Sequence, residues 1–220
     1  MSGEKEYSER LRVAPDGEPP PATAGTPGNP LLLTDPRMMR ALAHPARLVI
    51  WQHLGVEGPA TATECAAVAG LSPSACSYHL RTLAKYGFVE EDLSRSADGR
   101  ERPWRATVTS FNVPTGPGTP AVRDAARLLN TSAQAAADEI REGYRDRQSE
   151  YPGDWQSALG TNYDVLHLTP EELDDLRRRL VDLFGEYRRL SRDERPAGAR
   201  RVLVAADFLP WFPPETAEPE

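Results

Sequence analysis

Ser72, Ser74, Ser77, Tyr78, Arg81 and Lys85 fall within one short stretch, LSPSACSYHLRTLAKYG. Their hydroxyl, phenol, guanidinium and ammonium groups all donate hydrogen bonds, and no carboxylate interrupts them. Such a set suits base-pair edges and the phosphates beside them. An arginine can grip guanine with two parallel bonds, and hydroxyls reach bases or phosphates alike. A second cationic set, Arg95, Arg100 and Arg102, follows in a segment carrying the turn pair Asp98-Gly99. Those three fit a hairpin tip that meets phosphates or an adjacent minor groove. A solvated tip is the plainer alternative.

Signs of catalysis are weak. There is no glycine-rich phosphate loop, no nucleophile elbow and no H-E-x-x-H spacing. His44, His53, His79 and His167 are scattered along the chain. The strongest catalytic-looking group is His167 with Tyr163 and Trp155, which we read as core or as the lining of an effector pocket. The sequence therefore implies no enzyme, no cofactor and no metal site.

The donor set needs a helix to carry it. Cys65, Ala66, Val68 and Ala69 make a short helix, and Gly70 supplies the backbone freedom to stop it. Leu71 follows as a buried plug. Ser72 is a good N-cap, and Pro73 suits the first helical position, where its missing N–H costs nothing. In the second helix Cys76, Leu80 and Leu83 share one face at i, i+4 and i+7. Ser74, Ala75, Ser77, Tyr78, Arg81 and Thr82 occupy the other. A small residue at Ala66, a turn at Gly70 and a core residue at Cys76 are what a helix-turn-helix needs.

Two runs carry a resemblance to a family. LSPSACSYHLRTLAKYGFV, with Ser77, His79 and Leu80 at its centre, and ALAHPAR, residues 41–47, resemble the winged-helix regulators of the ArsR type. The resemblance covers Leu33 to Thr107. It implies a winged helix-turn-helix that binds double-stranded DNA as a homodimer, with the helix 72–86 in the major groove. Metal-sensing members of that family place cysteines at the start of the preceding helix, where this chain has Thr61 and Thr63. Cys65 matches a core leucine instead. Neutral hydroxyls are poor ligands for soft metals, so the resemblance carries over DNA binding without that metal site.

Charge qualifies the picture. The net charge is −7 and the isoelectric point about 5.3. Phosphate contacts supply much of DNA affinity, so acidity argues mildly against it. The acid is concentrated in the first residues, the C-terminal half and the tail, while Arg81, Lys85, Arg95, Arg100, Arg102 and Arg105 gather near the donor helix. Glu90, Glu91, Asp92, Asp98 and Glu101 dilute them, which implies moderate, salt-sensitive affinity. The acidity supports one alternative, a winged-helix protein-interaction module that does not bind DNA. Cys65 and Cys76 read as small buried hydrophobes, with a redox pair across the turn as the alternative. No apolar run reaches membrane-spanning length, and MSGEKEYSERLR lacks the apolar core of a signal peptide, which points to a soluble cytoplasmic protein.

The rest of the chain frames this centre. Residues 1–30 are rich in Pro, Gly, Ala and charge and read as disordered. Residues 31–111 form the DNA-binding domain. Thr34 or Asp35 caps its first helix, and Pro45 opens a second that buries Leu48, Val49, Ile50, Trp51 and Leu54 and ends at Gly55. His44 beside Pro45 reads as a cap rather than a metal ligand. Val89 to Leu93 and Arg102 to Thr107 are the wing strands, with Trp104 beneath them and Pro103 at an edge. Residues 112–120 are a linker. Residues 121–210 are a region for dimerisation and a candidate site for a small-molecule effector, followed by a loose tail at 211–220. In a long helix from Ala121 to Arg145, residues Val122, Ala126, Leu129, Ala133, Ala136 and Ile140 step like a coiled-coil seam, read here as a subunit contact. Packing on its own domain is the alternative. Tyr151 to Gly160 reads as a loop. YDVLHL (163–168) and RVLVAADF (201–208) read as strands around a helix from Pro170 to Leu190, a small strand-helix-strand subdomain. That helix opens with a capping box at Thr169 and Glu172, and buries Leu173, Leu176, Leu180, Leu183, Phe184 and Tyr187. The fold class is mainly α with small β (α+β).

Overall fold

The computed structural model describes residues 30–95, 102–113, 118–188 and 196–210. Residues 1–29 of the segment 1–30 expected to be disordered, the Asp98-Gly99 turn with Arg100, the middle of the linker and the tail lie outside those residues. The chain is an α+β fold: a helix-turn-helix with a small two-stranded wing, continued by a long helix.

Strand β1 (Leu31–Leu32) leads into helix α1 (Pro36–Leu42), capped by Asp35, whose carboxylate accepts from the Arg37 amide at 2.7 Å. Helix α2 (Pro45–Glu57) is capped by His44, whose Nδ1 accepts from the Ala46 amide at 3.2 Å. α2 does not stop at Gly55. A glycine inside a helix costs about 1 kcal/mol, which by itself does not end one. Gly58 ends it instead, at φ 88°, a backbone angle open to glycine.

Helices α3 (Ala62–Ala69) and α4 (Pro73–Lys85) form the helix-turn-helix. Strands β2 (Val89–Glu91) and β3 (Trp104–Ala106) pair antiparallel, with Val89 opposite Ala106 and Glu90 opposite Arg105. Ala60 adds an isolated bridge to Trp104, with both backbone bonds made, at 2.7 and 2.9 Å. The extended piece before α3 thus docks on the wing and ties it to the helices. The wing strands are shorter than expected. Leu93–Arg95 turns into a 3-10 helix, and buried Asp92 accepts from the Ser94 amide and hydroxyl there.

A second strand pair was not foreseen. β4 (Phe111–Asn112), partly assigned to the linker, runs parallel to β1 and joins the entry of the domain to its exit. Two-residue strands show no alternation a sequence could reveal. The core beneath is closed by Leu33, Met39, Leu42, Ile50, Leu80 and Phe88, all without exposed surface. Trp51 adds an indole N–H that donates to the Val108 carbonyl at 2.6 Å.

The long helix α5 (Pro120–Arg147) corrects the reading of its seam. Ala126 and Leu129 are buried within one chain, against α1 and α2, and the Ser132 hydroxyl donates to the Ala43 carbonyl. The front half of the apolar stripe is therefore intrachain core. Ile140, further along, is exposed. Past α5 the structure departs furthest from expectation. Residues 153–158 form a short helix, α6 (Gly153–Ala158), rather than a loop. The capping box of Thr169 and Glu172 opens α7 (Pro170–Arg188), with the Thr169 amide donating to Glu172 at 2.8 Å. Asp174–Arg178 and Asp175–Arg179 pair at i,i+4, at 3.2 and 2.7 Å. Yet neither 163–168 nor 201–208 forms a strand, so there is no strand-helix-strand unit among the described residues. Leu176, Leu183 and Tyr187 of α7 are exposed rather than buried. A strand needs a hydrogen-bonding neighbour, and among the described residues these segments have none.

Candidate nucleic-acid interface

The turn between α3 and α4 sets the interface. Gly70 adopts φ 65° and ψ 33°, left-handed, and the Leu71 amide donates to the Ala66 carbonyl at 2.9 Å. Leu71 is half-buried rather than a full plug. α3 is fixed at its start by a full capping box: Thr61 accepts from the Glu64 amide at 3.2 Å, and Glu64 accepts from the Thr61 amide at 2.8 Å. The Thr61 hydroxyl is thereby committed to the cap. Cys65, Cys76, Leu80 and Leu83 are buried between the helices, so the opposite side of α4 faces outward.

On that side Ser72, Ser74, Tyr78, Arg81 and Lys85 are exposed, Tyr78 at 60%. They do not stand equally free. The Ser72 oxygen caps α4, accepting from the Ala75 amide at 3.3 Å, and lies 3.1 Å from the Ser74 oxygen. Half-buried Ser77 donates back to the Pro73 carbonyl at 2.9 Å. Its oxygen still accepts, which suits an amino group on a base better than a phosphate. Thr82 back-bonds to Tyr78 in the same way, at 3.0 Å. Lys85 lies 5.7 Å from the Tyr86 ring centre.

The wing cations are engaged more strongly than their sequence suggests. Arg102 pairs with Glu91 at 3.0 Å, and Arg105 with Glu90. The Arg105 pair bridges the two strands, and Arg102 reaches β2 from just before β3. The backbone places Arg95 at the end of the 3-10 turn, and Arg100 lies outside the described residues.

Behind the donor face sits a cluster that sequence reasoning found only in part. The His44 and His79 rings lie 4.7 Å apart, and Tyr78 meets His79 edge-on at 5.6 Å. His79 Nδ1 and Arg47 Nε are buried without a hydrogen-bond partner, while Arg47 also donates to the Arg40 carbonyl at 3.2 Å. Desolvation, reinforced by the Arg47 charge, holds the His44 pKa below its ordinary value. Desolvation, then His44 and then Arg47, does the same to His79. The signal in the sequence was His44 as a cap; that His79, two helices on, packs against it required the fold. At the helix crossing, desolvation raises the Cys65 thiol to about 12, and the Cys76 thiol is also raised, chiefly by burial. Both are free cysteines held as thiols, which disfavours the redox alternative.

Residues 42–92 match the family model of a helix-turn-helix domain. This segment is a helix-turn-helix domain. The match spans α2 to β2, so it contains the turn, the donor face and the first wing strand. No curated protein matches the chain. The helix-turn-helix domain supports a DNA-binding transcription regulator in general. No described helix is long and apolar enough to cross a membrane. Among the described residues, no three His, Cys, Asp or Glu side chains gather as a metal site would require.

Proposed function

We propose that the chain is a sequence-specific transcription regulator similar to the ArsR type, acting as a homodimer and without that family's cysteine metal site. The observation that carries this reading is the outer face of α4. Ser74, Tyr78, Arg81 and Lys85 are exposed there, on a helix that contains no carboxylate and is held from behind by a fully buried face. α4 lies in the major groove, Tyr78 and Arg81 reach base edges or adjoining phosphates, and the wing lies over the backbone. The site is a pseudo-palindrome with half-sites about 10 base pairs apart or a multiple of that. At the start of α3, Thr61 and Thr63 stand where thiolates would be needed, and the Thr61 hydroxyl caps the helix. One observation favours the second reading, a protein-interaction module: the acidic net charge, together with wing arginines already paired to glutamates.

A mobility-shift assay on the protein's own upstream DNA separates the two. Arg81→Ala should lower discrimination between specific and scrambled duplexes, because a bidentate contact to guanine is worth roughly 1–3 kcal/mol. Arg102→Ala should weaken both duplexes alike with discrimination intact, and lower the salt slope by less than one, because Glu91 competes with phosphate for the guanidinium. Binding by both variants at parental strength would refute the helix-in-groove reading and leave the interaction module.

A further inference from the structure

Arg47, in the first turn of α2, is a half-buried cation without a counter-charge. Arg37, Arg102, Arg105 and Arg201 each hold a carboxylate; among the described residues none pairs with Arg47. Its Nη2 donates to the Arg40 carbonyl at 3.2 Å, and its Nε is buried with no hydrogen-bond partner. Nη1 is neither bonded nor buried among the described residues, so one amino group of the fork stands open. Burial lowers the Arg47 pKa, and the nearby Tyr78 and Tyr86 phenols act against that. A cation drawn partly out of water and left unpaired is costly, and an anion from outside the chain would relieve that cost.

The surroundings say which anion. Tyr78 projects from the donor face of α4 at 60% exposure and meets His79 edge-on at 5.6 Å, and His79 packs on His44 at the start of α2. The guanidinium therefore lies at the border of the face that reads the groove, where the DNA backbone passes.

We infer that Arg47 holds one phosphate of the DNA backbone, beside the groove that α4 enters. The inference rests on the DNA-binding reading above and adds an anchor outside the helix-turn-helix.

A planar guanidinium presents phosphate with donors in fixed geometry. The start of α3 is poorly suited to the same task, because its capping box sets the Glu64 carboxylate there. α2 instead opens on a His44 cap and has no acid in its first turn. Glutamates compete for the wing arginines, whereas no such competitor faces Arg47 among the described residues. Its contact should thus appear at full strength in the salt dependence, about 0.9 in the slope.

Fluorescence anisotropy of the full chain, on the duplex bound in the mobility-shift assay, tests this with four variants. Arg47→Gln keeps a donor for the Arg40 carbonyl and removes the charge. Its slope should fall by about 0.9, so that its deficit against the parent shrinks roughly three- to fourfold between about 50 and 200 mM salt. Arg47→Lys keeps the charge and should keep the slope. His44→Asp and His44→Asn both retain a capping side chain and differ by one charge. His44→Asp should bind roughly threefold or more weakly than His44→Asn at about 50 mM salt, with the lower slope, because its carboxylate competes for the guanidinium. Single neutral methylphosphonates placed in turn along the duplex locate the contact. At one position the substitution should weaken the parent about threefold or more and leave Arg47→Gln unchanged.

Weaker binding by Arg47→Gln at an unchanged slope would assign Arg47 to packing and overturn the inference. A methylphosphonate series that affects parent and Arg47→Gln alike would also overturn it, as expected of a site for free phosphate. Should circular dichroism show Arg47→Gln unfolded, the two His44 variants decide, and equal slopes for them refute the contact. A parent that binds no duplex sinks the DNA-binding reading itself; a parent that discriminates between duplexes while Arg47→Gln matches it sinks this inference alone.

Discussion

Replacing Glu90 and Glu91 together by glutamine should raise DNA affinity and steepen its salt dependence. Both carboxylates sit on β2 and hold the wing arginines, Glu91 on Arg102 at 3.0 Å and Glu90 on Arg105. The side chains are well exposed: 39% for Glu91 and 61% for Arg102, 48% for Glu90 and 55% for Arg105. Exposed pairs of this kind contribute about 0–1 kcal/mol each, so the double change costs at most roughly 2 kcal/mol of folding stability and leaves the wing intact. The consequence for DNA is larger. Each freed arginine can neutralise one phosphate and add about 0.9 to the slope of log affinity against log salt, or roughly 1.8 for two. Over a fourfold change, from about 50 to 200 mM salt, that slope amounts to roughly a twelvefold difference. The variant should bind about tenfold tighter than the parent at the lower salt, with the gain nearly gone at the higher. Fluorescence anisotropy on one duplex across a salt series gives both slopes directly. Parallel lines, or a variant that binds more weakly, would refute the idea that these acids hold the wing away from phosphate.

Other consequences follow from the core and the histidine cluster. Leu129→Ala should cost about 2–5 kcal/mol of stability, because the side chain is buried within one chain; a urea midpoint that stays put while the dimer dissociates would return that residue to the subunit interface. Cys65 and Cys76 should react with a thiol reagent far more slowly in the native protein than in denaturant, since burial raises both thiols. Rapid native labelling would contradict the packing at the helix crossing. His44 and His79 have pKa values held below the ordinary 6.5, so the unfolded chain takes up protons that the folded one refuses. Their contribution is full above pH 6.5 and falls as the pH drops through the lowered folded values. His44→Asn keeps a capping side chain and should flatten that acid loss, measured as melting temperature against pH; an unchanged profile would mean that other groups cause it.

What the sequence revealed, and what it hid, divides by the range of the interactions concerned. The capping residues His44, Ser72 and Thr169 and the left-handed Gly70 act over a few residues, so their chemistry is legible from neighbours alone. The buried face of α4 is equally local, because Cys76, Leu80 and Leu83 repeat at helical spacing. The donor positions follow as the complement of that face. Their availability does not. Whether Ser77 points its proton at DNA or at Pro73, and whether Arg102 is free or held by Glu91, depends on distances that spacing leaves open. The stripe on α5 exposes the same limit more sharply. Its step of four and three is identical for a helix against a partner and a helix against its own domain, and only the position of α1 beneath Leu129 decides between them. The strand-like runs at 163–168 and 201–208 are the converse. Their composition asks for a ladder, and among the described residues neither run has one, so local preference gives way where no neighbouring strand supplies hydrogen bonds.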